Sequence, residues 1–281
     1  MLTQEHIVIN GIHHKPIVID TTYPANAKNL PIIIFCHGYK GFKDWGAWNL
    51  MASAFARAGY YFVKFNFSHN GGTIEQPIDF PDLEAFGNNN YTKELDDLAT
   101  VIEWLFNNTT TLSLANLHDI TLMGHSRGGG IVIIKAEEDS RIKQVIALAS
   151  VSDFETRMNA LEDASNWKKY GVTYIENSRT KQKMPHYFQF YENFIENKER
   201  LNIQRAIKNL SLPLLLIHGS NDTSVSVKEA EQLKLWQPEA ELKIINGANH
   251  VFGAQHPWEH KDLPKNLEEA VKHACNFLAN C

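Results

Sequence analysis

Seven consecutive residues, Pro31-Ile-Ile-Ile-Phe-Cys-His37, leave this chain few folds to choose from. A strand with one wet face alternates apolar and polar side chains, whereas a continuous apolar run must be covered on both faces. Such strands belong to parallel sheets with helices on either side. Further strand-like runs follow at Tyr60–Asn66, residues 119–123, Gln144–Ala149, Leu212–His218 and Glu241–Ile245. A hairpin is expected before them, from His6–Gly11 and Lys15–Asp20. Helical patterns fill the gaps. Trp48, Met51, Ala52 and Phe55 recur at helical spacing, with Gly59 as a stop, and Leu95, Leu98, Ile102 and Leu105 share a face. Another helix is expected over Lys228–Trp236, and Leu267, Ala270, Val271, Ala274 and Leu278 mark a closing one. The alternation implies an α/β protein, a mostly parallel sheet of about eight strands with helices on both faces.

Two segments interrupt it. Residues 68–90 are rich in Gly, Asn and Pro and read as a long functional loop. Residues 152–205 are polar, helix-prone and aromatic, carrying Trp167, Tyr170, Tyr174, Tyr187, Phe188, Phe190, Tyr191 and Phe194. Falling after the sixth strand, they are expected to form a helical cap over the C-terminal strand ends, where open α/β sheets bind ligands. Most of its aromatics are read as that cap's own small core. The organisation expected is one domain, 1–281, with 152–205 inserted in it.

Chemistry concentrates at Gly124-His-Ser-Arg-Gly128, a Gly-bracketed serine between an apolar run and the helix that starts at Ile131-Val-Ile-Ile134. A serine on a sharp strand-to-helix turn has its Oγ held clear of the sheet, and flanking glycines let the neighbouring backbone approach. A hydroxyl needs a base, and the base needs an orienting group. Asp222 lies in Gly219-Ser-Asn-Asp222 after one strand, and His250 in Asn246-Gly-Ala-Asn-His250 after the next. The order Ser126, Asp222, His250, each on a loop at the same sheet edge, reads as a catalytic triad. Asp153, after the strand 144–149, is the alternative acid. His37 and His125 read as buried, hydrogen-bonded side chains, His218 as pointing away from the acid, and His256 and His260 as surface or packing residues.

With His37-Gly38 after the third strand, these motifs make the chain resemble an α/β-hydrolase over about residues 30–280, insertion excepted. The resemblance implies a serine esterase with an oxyanion hole from the backbone N–H groups of Tyr39 and Arg127, worth ~3 kcal/mol per donor. Tyr39, Phe42, Trp45 and His69 are expected to line the pocket. The substrate implied is a small-molecule ester cleaved through an acyl-enzyme. A peptidase or amidase on the same triad is the near alternative, and a non-catalytic binding protein the remote one. Similarity extends to prolyl-oligopeptidase catalytic domains, whose long propeller has no room here. It extends also to dienelactone hydrolases, which commonly use cysteine where this chain has Ser126.

The formal net charge of −5 gives no basic footprint for nucleic acid. No run approaches the ~20 apolar residues of a membrane span, and the start Met1-Leu-Thr-Gln-Glu-His shows no leader pattern. Three cysteines, Cys36, Cys275 and Cys281, suit a reducing compartment, so a cytoplasmic location is expected. No metal or cofactor motif is present, so no cofactor is expected. No motif specifies an oligomeric state.

Overall fold

The computed structural model describes residues 1–280; Cys281 lies outside the described residues. The chain opens with β1 (Leu2–Asn10), β2 (Pro16–Pro24) and β3 (Leu30–Cys36), then α1 (Trp48–Arg57) and β4 (Tyr61–Asn66). Next come α2 (Leu83–Gly87), α3 (Tyr91–Asn107), α4 (Thr109–Leu114), β5 (Ala115–His125), α5 (Arg127–Glu138) and β6 (Ile142–Leu148). Then follow α6 (Glu155–Asn159), α7 (Ala164–Tyr170), β7 (Val172–Glu176), β8 (Lys183–Tyr187), α8 (Gln189–Glu196) and α9 (Ile203–Asn209). The chain closes with β9 (Leu214–Gly219), α10 (Val227–Trp236), β10 (Glu241–Ile245) and α11 (Lys265–Leu278).

Eight strands form one sheet in the order β1-β2-β4-β3-β5-β6-β9-β10. β1 and β2 pair antiparallel, as do β2 and β4, and every other neighbour is parallel. The central strands are buried on both faces, and their side chains divide by parity. Ile32, Ile34 and Cys36 of β3 join one core with Leu98, Ile131 and Ile134, while Ile33 and Phe35 join the other with Trp48, Phe55 and Val271. Parity continues in β6, Val145 and Ala147 against Ile146 and Leu148. This is the expected α/β sheet with helices on both faces. Cys36 is buried and free, and Cys275 is free and partly buried.

The insertion departs from the all-helical cap expected. Between α7 and α8 it holds an antiparallel hairpin, β7–β8, built from Val172-Thr-Tyr-Ile-Glu and Lys183-Met-Pro-His-Tyr. α7 ends at Gly171, whose φ of 73° is the left-handed position that favours glycine. The next residues, β-branched and aromatic, suit an extended backbone. Its aromatics do not form a separate core either. Trp167, Phe190 and Phe194 are buried in the main cluster with Tyr91 of α3, whose ring stacks at 4.0 Å on Phe154, whereas Tyr170 and Tyr174 are exposed. The long loop 68–90 contains the short helix α2, capped by Asp82 Oδ1 accepting from Ala85 N at 2.9 Å. No helix among the described residues is long and apolar enough to cross a membrane.

Candidate active site

β5 delivers Ser126 to the C-terminal edge of the sheet. Its φ of 57° and ψ of −118° are strained for a residue with a Cβ, at a cost of order 1–3 kcal/mol. Packing enforces the turn. A Cβ on Gly124 would lie 2.1 Å from Gly128 O, and one on Gly128 would lie 2.4 Å from Cys36 O. The turn therefore closes on itself and on β3 only because both positions are glycine. Gly38 presses against the same point, since a Cβ there would be 2.9 Å from Ser126 Cβ. The Gly38–Tyr39 segment is thus set beside the serine. Neither Tyr39 N–H nor Arg127 N–H donates to a protein acceptor among the described residues.

β9 and β10 bring in the other two groups. His250 Nδ1 donates to Asp222 Oδ2 at 2.7 Å. Asp222 Oδ1 accepts from the N–H groups of Ser224 and Val225, both at 2.8 Å. His218, expected to point away, instead stands behind the acid. Its Nε2–H donates to Val225 O at 2.9 Å and lies 3.3 Å from Asp222 Oδ2, because the loop after β9 folds back over the strand end. Burial alone would raise the Asp222 pKa, but hydrogen bonds from His218, His250 and Val225 N–H outweigh it and hold the carboxyl well below the usual range. The side chain is fully buried. Asp153, the alternative acid, is engaged elsewhere: its oxygens accept from the N–H groups of Glu155 (3.0 Å) and Thr156 (2.8 Å) at the start of α6.

His125 Nε2 donates to His250 O at 2.8 Å, and burial with the neighbouring His250 holds its pKa down to about 3, so it is a neutral strut under the His250 loop. His37 is likewise buried, its Nδ1 bonded to Gly38 O at 2.9 Å. Ser126 and His250 both open onto one cavity of about 510 Å³, and no hydrogen bond joins them in this structure.

Tyr39 and Trp45 line that cavity. Phe42 and His69 do not. Phe42 is fully buried with Phe80, Phe86 and Met184, because the 68–90 loop and the hairpin fold over it. His69 turns away to Ser68 Oγ at 2.8 Å and to the His13 ring. His256 packs on Phe42 and accepts from Gly46 N at 2.9 Å.

Arg127 was singled out for its N–H, yet its side chain is the larger presence. The buried guanidinium lies 4.3 Å from the Tyr39 ring centre and 5.0 Å from that of Tyr91, and donates to Glu94 Oε1 at 3.1 Å. Tyr39 OH reaches His186 Nε2 at 2.5 Å, tying the loop beside Ser126 to β8 of the insertion. Arg157 and Arg179, from α6 and the β7–β8 turn, also line the cavity. No periodic signal announces residues that arrive from an insertion.

A second buried carboxyl lies one turn along α3. Asp97 Oδ2 accepts from Ser68 N at 2.7 Å, while Oδ1 has no partner. Burial raises its pKa from 3.8 to about 7. Because the folded value exceeds the unfolded one, ionisation opposes folding, and stability falls as pH rises from about 4 to about 7. Asp97→Asn is expected to remove that slope: in urea unfolding at pH ~5 and ~8, the variant gains on the wild type at the higher pH. An equal difference at both pH values would contradict this.

Comparison with known proteins agrees with this architecture. The family model of the prolyl oligopeptidase family matches residues 47–273. A non-heme chloroperoxidase from Kitasatospora aureofaciens is 22% identical over 272 residues, covering 84% of this chain and 90% of that protein. Among solved structures, Est1E from Butyrivibrio proteoclasticus with ferulic acid bound superposes with a TM-score of 0.69 at 16% identity, covering 98% of both chains. A putative dienelactone hydrolase from Klebsiella pneumoniae subsp. pneumoniae gives 0.65 at 15% identity over 100% of both. With the family model spanning most of a sheet of this topology, the chain belongs to the prolyl oligopeptidase family and is a hydrolase of the α/β-hydrolase type.

Proposed function

We propose that the protein hydrolyses carboxylic esters through a Ser126–His250–Asp222 triad. The observation that carries this reading is His250 Nδ1 donating to the buried Asp222 carboxylate at 2.7 Å, on the cavity that a strained Ser126 enters. That bond fixes the tautomer with Nε2 as acceptor, the form a general base requires. Ser126 Oγ attacks the ester carbonyl and its proton passes to His250 Nε2. The oxyanion is held by the N–H groups of Tyr39 and Arg127. As the C–O bond breaks, the same proton goes to the departing alkoxide, leaving an acyl-serine. Water then attacks the acyl carbon while His250 Nε2 takes its proton; the bond to Oγ breaks, Nε2 returns the proton to Ser126 Oγ, and the acid is released.

The family model gives a peptidase reading a specific basis. Charge argues against one form of it: among the described residues no Asp or Glu lines the cavity, so no carboxylate there would pair with the ammonium of a peptide N-terminus. The esterase domain and the dienelactone hydrolase among the solved structures that share this fold support the ester reading. The test is a panel of p-nitrophenyl esters of increasing acyl length, with aryl esters such as feruloyl compounds, beside matched aminoacyl esters and anilides. Turnover of simple esters well above that of anilides is expected. Anilide turnover comparable to that of the matched aminoacyl ester would favour the peptidase.

A further inference from the structure

The chain is acidic overall, yet the charged side chains lining the cavity are all cationic: Lys40, Arg127, Arg157 and Arg179. Three of these carry their own neutralising partner behind the wall. Arg127 is paired with Glu94, Arg157 with Glu229 and Arg179 with Asp79. Lys40 is different. It makes no ion pair among the described residues: Nζ lies 5.4 Å from the Tyr39 ring centre, and the other charge-sensitive group it acts on is the neutral His186 ring, whose protonation it opposes. The backbone holds it there: Gly41 N donates to Gly38 O at 3.0 Å, closing a turn in which Lys40 has a φ of 52°. A left-handed lysine is not what the turn would select for its own sake. Burial also pushes the Lys40 ammonium pKa down, as expected of a cation lacking its counter-ion.

We propose that Lys40 is a specificity-determining residue, and that the site takes esters bearing a carboxylate a few atoms from the scissile bond. This rests on the ester reading above and names its substrate class. Lys40 adjoins Tyr39, so a carbonyl held at the Tyr39 and Arg127 N–H groups leaves an anion on the same substrate within reach of Nζ. Arg157 and Arg179 line the same cavity and add to its positive charge. A neutral ester would leave Lys40 half-desolvated and uncompensated.

Two matched pairs test this, one for each side of the scissile bond. They are mono-p-nitrophenyl glutarate against its methyl ester, and p-acetoxybenzoate against methyl p-acetoxybenzoate. At least one pair is expected to favour the anion in kcat/KM by about tenfold or more, the scale of one charge-assisted hydrogen bond. Lys40→Met should collapse that ratio and Lys40→Arg should retain it. Ratios near one in both pairs, or a preference unchanged in Lys40→Met, would overturn the proposal. Failure of the ester reading is separable. The same compounds can be titrated into Ser126→Ala, with the fluorescence of Trp45 and Trp48, which line the cavity, as the signal. Without any turnover, tighter binding of the anion that Lys40→Met weakens would still support the cationic subsite, and equal binding would refute it.

Discussion

Ser126→Ala is expected to lower kcat on an activated ester by on the order of 10⁴–10⁶-fold, the range that follows loss of a nucleophile in a serine triad. The loss should fall on kcat and leave substrate affinity nearly unchanged, because the serine hydroxyl makes no hydrogen bond in this structure that alanine would forfeit. For the same reason, unfolding by urea should shift little. The strained φ of 57° is retained, since alanine occupies that region no more comfortably than serine. A variant with substantial turnover would remove Ser126 from the chemistry.

Asp222→Asn is expected to cost about 10⁴-fold in kcat, through tautomer rather than geometry. The asparagine Oδ1 can still accept from Ser224 and Val225, so the loop keeps its shape. Its NH₂ then faces His250 Nδ1, which must become the acceptor, and the ring proton moves to Nε2. A histidine protonated there cannot take the proton of Ser126. His218 also meets a donor in place of an oxygen, which adds a stability cost. The carboxylate itself stabilises the fold, because its pKa is depressed on folding. That contribution is present above the ordinary carboxylate range and lost as pH falls through and below it. The difference in unfolding free energy between wild type and Asp222→Asn should therefore shrink on acidification. Retention of most activity in Asp222→Asn would return Asp153 to consideration.

Why these three residues could be read in the sequence is a matter of strand register. Ile32 to Cys36, Ile120 to Met123 and Leu214 to Ile217 are apolar on both faces, so their ends are unambiguous. Ser126 and Asp222 are the chemistry-bearing residues just beyond two such ends, and His250 stands in the Gly-bearing loop that follows the edge strand β10. The start of β5 was hidden because Asn116, His118 and Asp119 are polar and the pairing with β3 shifts register between Pro31 and Ile32. The hairpin β7–β8 was hidden for a similar reason, since Tyr174, Glu176 and Lys183 face outward and leave no apolar alternation. Phe42 was misplaced because proximity to the site in sequence does not say which loop will cover a side chain. His218 was misplaced because the backbone of 219–222 reverses direction. Nothing in a periodic pattern shows that Arg157 and Arg179 cross from the insertion to the cavity, or that Lys40 is left without a partner.

One serine, held by two glycines and served by His250, is the proposed nucleophile. Labelling with a fluorophosphonate, followed by peptide mapping, tests it most directly. The expected result is a single adduct on the peptide containing Ser126, absent from Ser126→Ala and greatly slowed in Asp222→Asn. An adduct on another residue, or equal labelling of Ser126→Ala, would contradict it.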